Sequence, residues 1–440
     1  MAPRPSPHRL AGVVMIAACT DAPGGVAPSI AVNPTIGTVA TASWSRTGPE
    51  RTRIVVERSG EAWLATDWQD AELAHVATLF ALPASTNLKA RVEVEDVGES
   101  DAVNFSTGPL AAGLPLVAVE GEPAWGGWTA TSFVGAVSYA VLLDETGEIV
   151  WWHEVDVPRL SRVRVRADGL GVWYGFAESE AKDSGGLRSV SWSGDALADL
   201  DVPAFSHDFT LLPDDRLAFI EFDRRELDDG EPVWGNRVVE GDATGTTEVV
   251  WSAFDSWKPG VDGDVDAQGY WTGINALDYD PDRDAYLVSA RGLGAIVEVG
   301  RDGTLGEQIG GPQSDYVFPE PDDVPQRQHQ FERLSDGLLV FDNRDADAGS
   351  RVLELGLDTD THTAAARWTY QPPEPLFVYA LGDVARRPDG STMVAWCTSG
   401  VIDHVSANGE VLGTLRLDLG AGFGFVDRMD SLPGMNPVAY

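Results

Sequence analysis

The sequence predicts an all-β fold, a six-bladed β-propeller over residues 114–440 preceded by a small β-sandwich over residues 30–110. Two observations predict it. Between Pro28 and Gly108 the chain alternates apolar and polar residues with the period of two expected of β-strands. Beyond Leu114 a unit of roughly fifty residues recurs, and each unit holds two hairpins with polar turns, the pattern of a four-stranded blade.

Taken in order, residues 1–19 place a basic flank, His8-Arg9, before a short apolar run that ends Ile16-Ala17-Ala18-Cys19. The run is far below the ~20 residues that span a bilayer as a helix. Its ending resembles a bacterial lipoprotein cleavage box, which implies export and lipidation of Cys19. A lipid-anchored place in the cell envelope is the corresponding expectation, with a periplasmic or an outer-membrane face left open. Residues 20–29 are small and contain Gly and Pro, as suits a linker. In the sandwich, Thr52–Arg58 and Leu88–Glu95 are the clearest strands. Leu82-Pro83-Ala84-Ser85-Thr86, Gly98-Glu99-Ser100 and the run Phe105–Leu110 resemble the end of a fibronectin type III domain, which implies a spacer or adhesion unit.

In the repeat region, outer hairpins fall at 142–150, 190–197, 239–249, 297–305, 353–362 and 405–411. Inner hairpins fall at 163–169, 209–215, 277–283, 331–337 and 384–390. Six outer hairpins call for six blades, so residues 115–135 or 423–436 are expected to supply the missing inner strands by joining the chain ends.

The chain carries 31 Lys and Arg against 69 Asp and Glu, a field that repels nucleic-acid phosphates and anionic headgroups. Its two cysteines exclude a disulfide framework, and Cys397 follows an apolar strand as a buried small hydrophobe would. Asp280–Asp284 and Asp358–Thr361 read as turns rather than calcium loops, and no metal site is expected. Gly420–Gly424 lacks the context of a phosphate loop. Trp151 and Trp152 are expected to pack between blades, and His153, His362 and His404 to lie at the surface.

Aligned on their turns, the inner hairpins place Ser161, His207, Gly273, His329 and Gly382 at the start of successive innermost strands. Innermost strands line the axial channel, so His207 and His329 are expected to converge there. The hairpin that begins near Gly273 returns at Arg291, which joins them at the same rim.

Three motifs around these residues resemble the bacterial arylsulfotransferases: Ser206-His207-Asp208; Ile274-Asn275-Ala276-Leu277-Asp278 followed by Leu287–Arg291; and Gln328-His329 followed by Gly337–Asn343. The resemblance implies a sulfuryl transfer from an aryl sulfate to a phenol with no cofactor. His329 is then the nucleophile that forms a sulfohistidine, His207 and Arg291 hold the sulfate oxygens, and Asn275 binds substrate. Members of that family carry a further histidine just before the Ile-Asn pair, where this chain has Gly273. The alternative reading is a non-catalytic propeller that binds an anionic or aromatic ligand or a surface partner.

Overall fold

A computed structural model describes residues 27–438, apart from 47, 122–125, 158, 178–183, 215, 228–229 and 419; Cys19 therefore lies outside the described residues. Six consecutive sheets make the propeller. Blades II to V are each four consecutive antiparallel strands, beginning with Leu160–Val165, Phe205–Leu211, Ile274–Asp280 and Phe331–Leu334 as the innermost. Blade VI runs from Asp383–Arg386 outward to Val411–Leu417. Blade I comprises Trp128–Val134, Ser138–Leu143 and Ile149–Val155, with an inner edge supplied by Gly422–Phe423 and Asp427–Met429.

The ring is thus closed in two places by the two ends of the repeat region. Phe423 and Met429 pair with Phe133 and Trp128 on blade I, while Val117–Gly121 adds a fifth, outermost strand to blade VI in the register Leu417↔Val117. The missing inner strand comes from the C-terminal segment, one of the two expected sources. The final strand, Met435–Pro437, leaves the propeller and pairs with the sandwich strand Glu61–Thr66.

Burial explains which strands the sequence made legible. Middle strands such as Ser138–Leu143, Ala285–Ala290 and Gly337–Asp342 are buried at every residue, because neighbouring blades cover both faces. Outer strands such as Ala196–Asp201 alternate or are open. The recurring outer turn has one chemistry: the Asp144, Asp242 and Asp302 carboxylates each accept a backbone N–H two residues on, at 2.8 to 3.0 Å, and Gly147, Gly245 and Gly303 take the left-handed residue.

The N-terminal sandwich has one sheet of Ser29–Val32, Ala40–Ser45 and Ala74–Leu79, and a second built on Thr52–Arg58 and Asn87–Val94. Their facing residues, including Ala42, Ile54, Leu79 and Val92, share one apolar cluster that continues into blades I, II and VI. Phe80 stacks on Trp192 at 4.1 Å between centroids, and Asn33 Nδ2 donates to the Ser193 carbonyl at 3.2 Å, so sandwich and blade II are packed together.

At the propeller axis, one buried network touches all six blades. The Arg162 guanidinium of blade II meets Asp208 of blade III at 2.6 Å, Asp383 of blade VI at 3.4 Å and the Val426 carbonyl of blade I at 3.1 Å. Asp208 Oδ2 also accepts from Leu277 N of blade IV at 3.1 Å and from Gln330 Nε2 of blade V at 2.7 Å. Burial opposes the charge on Arg162, but Asp208, Asp383 and Asp427 together hold its pKa above the ordinary value. This floor is satisfied on every side, as buried charge requires.

Candidate active site

Immediately above that floor the inner strands break register. Ser161 and Asn275 are single-residue bulges between Leu160/Arg162 and Ile274/Ala276. In blade III the register jumps from Phe205↔Glu221 to Phe209↔Phe219, so Ser206, His207 and Asp208 together face Ile220. In blade V, His329 N donates to the Phe341 carbonyl at 3.1 Å while Phe341 N donates to Gln330, so two residues face one. Bulges re-aim side chains. Here they split neighbouring residues between two tasks: Asp208 and Gln330 enter the floor, and His207 and His329 remain for the layer above. The turn-based alignment therefore holds to within a residue. His207 lies inside its bulge at φ 59°, Gly273 just before one at φ 53°, and His329 at the head of another.

Asn343 fixes the protonation of His329. Its amide nitrogen donates to two carbonyls, Val378 at 2.7 Å and Leu381 at 2.9 Å, so its Oδ1 is the atom turned to His329 Nδ1, at 2.7 Å. An amide oxygen can only accept, which puts the proton on Nδ1 and leaves the Nε2 lone pair unprotonated. Burial pushes the His329 pKa down to about 3; Asn343 opposes this, and the charges of His207 and Arg291 add to it. His207, bonded through Nδ1 to Ser206 Oγ at 2.7 Å, is likewise lowered by burial to about 4, with Asp208 opposing and Arg291 contributing. Both imidazoles are neutral at pH 7. The mutual influence places His207, Arg291 and His329 in one electrostatic neighbourhood, although the histidines are separated by most of two blades in sequence.

Arg291 is half-buried, and its pKa is lowered first by that burial and then by the positive charge of Arg327. In a chain with 69 carboxylates, neither guanidinium has an acidic partner among the described residues. Arg291, a half-buried cation without a counter-ion, is suited to an incoming anion, and Arg327 stands exposed nearby.

His207 lines a cavity of about 820 Å³ whose walls include Phe205, Phe222, Tyr270 and Tyr379. The segment Tyr379–Leu381 forms another wall, and its Leu381 carbonyl is one of those holding Asn343. An aromatic chamber thus adjoins His207; His329 and Arg291 are not among the residues that line it. Asn275 is 1% exposed and donates Nδ2 to the Gln328 carbonyl at 2.8 Å, so it secures the strand that carries His329; its Oδ1 has no protein donor. At Gly273 an added Cβ would meet nothing closer than Gly292 N at 3.6 Å.

Sequence reasoning missed Asn343 as an orienting group, Arg327 as a second cation and the aromatic walls. Asn343 was visible at the end of the third motif, but its role depends on carbonyls from residues 378 and 381. One surface assignment is corrected: His404 is 3% exposed, with Nε2 2.8 Å from Ser391 Oγ, because its strand is covered on both faces. Trp151 packs edge-on against Trp192, Cys397 is a buried free thiol, and Asp280 and Asp358 turn their carboxylates onto backbone N–H groups. Among the described residues, no group of three or more His, Cys, Asp or Glu side chains is arranged to hold a metal.

A family model described as arylsulfotransferase (ASST) matches residues 129–414. No curated protein matches significantly. Solved structures with a similar course include a protein of unknown function from Bacteroides caccae (12% identity, 68% of this chain and 98% of that one, TM-score 0.42). Others are a periplasmic gluconolactonase of Pseudomonas aeruginosa (11%, 87% and 99%, 0.40) and a virginiamycin B lyase of Staphylococcus aureus (12%, 67% and 87%, 0.37). Likenesses this distant carry no argument about chemistry.

Proposed function

Because the chain belongs to the arylsulfotransferase family, we propose that it moves a sulfuryl group from an aryl sulfate to a phenol through a covalent intermediate on His329. The observation that supports this most is the Asn343–His329 pair, which leaves a neutral imidazole with its Nε2 lone pair available beside unpaired positive charge. In the first half-reaction, the Nε2 lone pair forms a bond to sulfur as the sulfur–oxygen bond to the aryl group breaks, and that electron pair leaves on the phenolate. Arg291 and His207 donate hydrogen bonds to the sulfuryl oxygens while charge spreads over them. In the second, the acceptor's phenolate oxygen attacks the same sulfur and the nitrogen–sulfur bond returns its electrons to Nε2; the proton the acceptor gives to solvent matches the one the released phenolate takes up, so His207 stays neutral throughout. The aromatic chamber around Phe222, Tyr270 and Tyr379 suits the aryl rings of donor and acceptor.

Gly273 favours a second reading, an anion- or aryl-binding propeller without turnover, since a propeller keeps its shape when one catalytic group is lost. The two are separated by incubating the protein with a chromogenic aryl sulfate and a phenol acceptor. Turnover by wild type that disappears in His329→Ala supports the transferase. Inert wild type with transfer gained by Gly273→His supports the binding reading; there is open space for that side chain, and its left-handed backbone carries the same strain that His207 already bears. If neither protein turns over, the transferase reading fails for those substrates. In the same proposal the protein works in the cell envelope, tethered through lipidated Cys19, with the fibronectin-like sandwich as spacer; the sequence around Cys19 and the strand pattern of residues 30–110 support it.

A further inference from the structure

Arg327 lies two residues before His329 on a segment whose backbone is held against its own preference. Its φ is +55°, a left-handed conformation that an L side chain of this size rarely adopts. Both neighbours are clamped. Gln326 N donates to Asp342 Oδ1 at 2.6 Å, and the Gln326 carbonyl accepts from Arg344 N at 2.9 Å. The Gln328 carbonyl accepts from Asn275 Nδ2 at 2.8 Å, and Gln328 Nε2 donates to the Ala295 carbonyl at 3.0 Å. These bonds lay the segment Pro325–Gln328 along the turn Arg291–Ala295, and a Cβ on Gly294 would come within 3.4 Å of the Pro325 carbonyl. The backbone that carries Arg327, an exposed residue, is thereby brought beside the turn that carries Arg291 on the adjacent blade. Their mutual repulsion depresses the Arg291 pKa after burial has done so, and neither has a carboxylate partner among the described residues.

A glycine would hold this turn with less strain than an arginine. We propose that Arg327 is the second half of a two-arginine clamp, closing with Arg291 on the oxygens of a tetrahedral sulfuryl or sulfate anion and supplying the donor capacity that Gly273 leaves out. The clamp rests on reading the surroundings of His329 as a sulfuryl site, but it predicts anion binding whether or not transfer occurs. Two converging cations favour a doubly charged oxyanion over chloride, so inorganic sulfate is the suitable probe.

The test is thermal-shift titration of the full chain with sodium sulfate, with sodium chloride at equal ionic strength as control. Sulfate is expected to raise the wild-type melting temperature beyond chloride, and Arg327→Ala to need about tenfold more sulfate for the same rise. Arg327→Lys should respond between the two. Arg327→Gly should melt above wild type in the absence of sulfate, because its turn relaxes, yet share the weak sulfate response of Arg327→Ala. An arginine with a purely structural role would give the reverse pattern. Equal sulfate curves for wild type and Arg327→Ala, or a wild type that gains no more from sulfate than from chloride, overturn the clamp. A wild type that shows the Arg327-dependent sulfate response but turns over no aryl sulfate rejects the transferase and retains the clamp.

Discussion

The two layers at the propeller axis are built from neighbouring residues and obey opposite electrostatic rules. In the floor, Arg162 is met by Asp208 and Asp383, and every blade contributes a bond. In the layer above, the charge of Arg327 bears on Arg291 and neither has a carboxylate partner among the described residues, while His207 and His329 are neutral in surroundings that resist their charging. A fully compensated layer has no affinity left to offer, whereas an under-compensated one has been left to a ligand. The division runs within dipeptides: His207 serves the upper layer and Asp208 the floor, and His329 stands above Gln330 in the same way.

The comparison can be broken most severely at His329. His329→Ala should reduce sulfuryl transfer by on the order of 10⁴-fold, read as phenol release from a chromogenic aryl sulfate, while leaving Asn343 Oδ1 unpaired costs about 1–3 kcal/mol in denaturant stability. The mirror experiment is Arg162→Met, which strands two buried carboxylates and should cost about 3–5 kcal/mol in a urea melt. If Arg162→Met cost less stability than His329→Ala, the assignment of roles to the two layers would be reversed.

Asn343→Leu sharpens the upper layer. It removes the acceptor that fixes the His329 tautomer and should lower kcat about 10²-fold with KM little changed, since no substrate contact is lost. The smallest effect is on pH dependence. With His207 and His329 lowered to about 4 and about 3, kcat/KM should stay level from neutrality to near pH 4, where an ordinary histidine would already have titrated near 6.5. The same shift bears on stability. Between about pH 6.5 and 4 the unfolded chain binds protons at these histidines that the folded chain refuses, so stability falls as pH is lowered through that window. A break in kcat/KM near 6.5 would show that the imidazoles are not desolvated.

Much of this was legible in the chain because β-blades repeat. The outer turns announce themselves by an aspartate that must cap its own backbone and a glycine that must take a positive φ, so six outer hairpins could be counted from residues such as Asp144, Gly147, Asp302 and Gly303. The missing inner strand was harder to place, since Gly422–Phe423 and Asp427–Met429 are too short to show a period and form only by pairing with Trp128–Val134. His404 was misjudged for a related reason: a strand position near a surface turn gives no sign that another blade covers it.

By itself the sequence determined the repeat, the propeller and the candidates His207, Arg291 and His329, because hydrophobic period and turn chemistry are local properties and the flanking motifs are contiguous. Only the tertiary structure decided what those residues are. The proton on His329 is set by Asn343, whose own orientation depends on carbonyls 35 and 38 residues further along. That Arg291 and Arg327 have no carboxylate partner among the described residues appears only once the blades have placed those carboxylates elsewhere. Charge compensation is a sum over neighbours in space, and the linear chain does not reveal which neighbours those are.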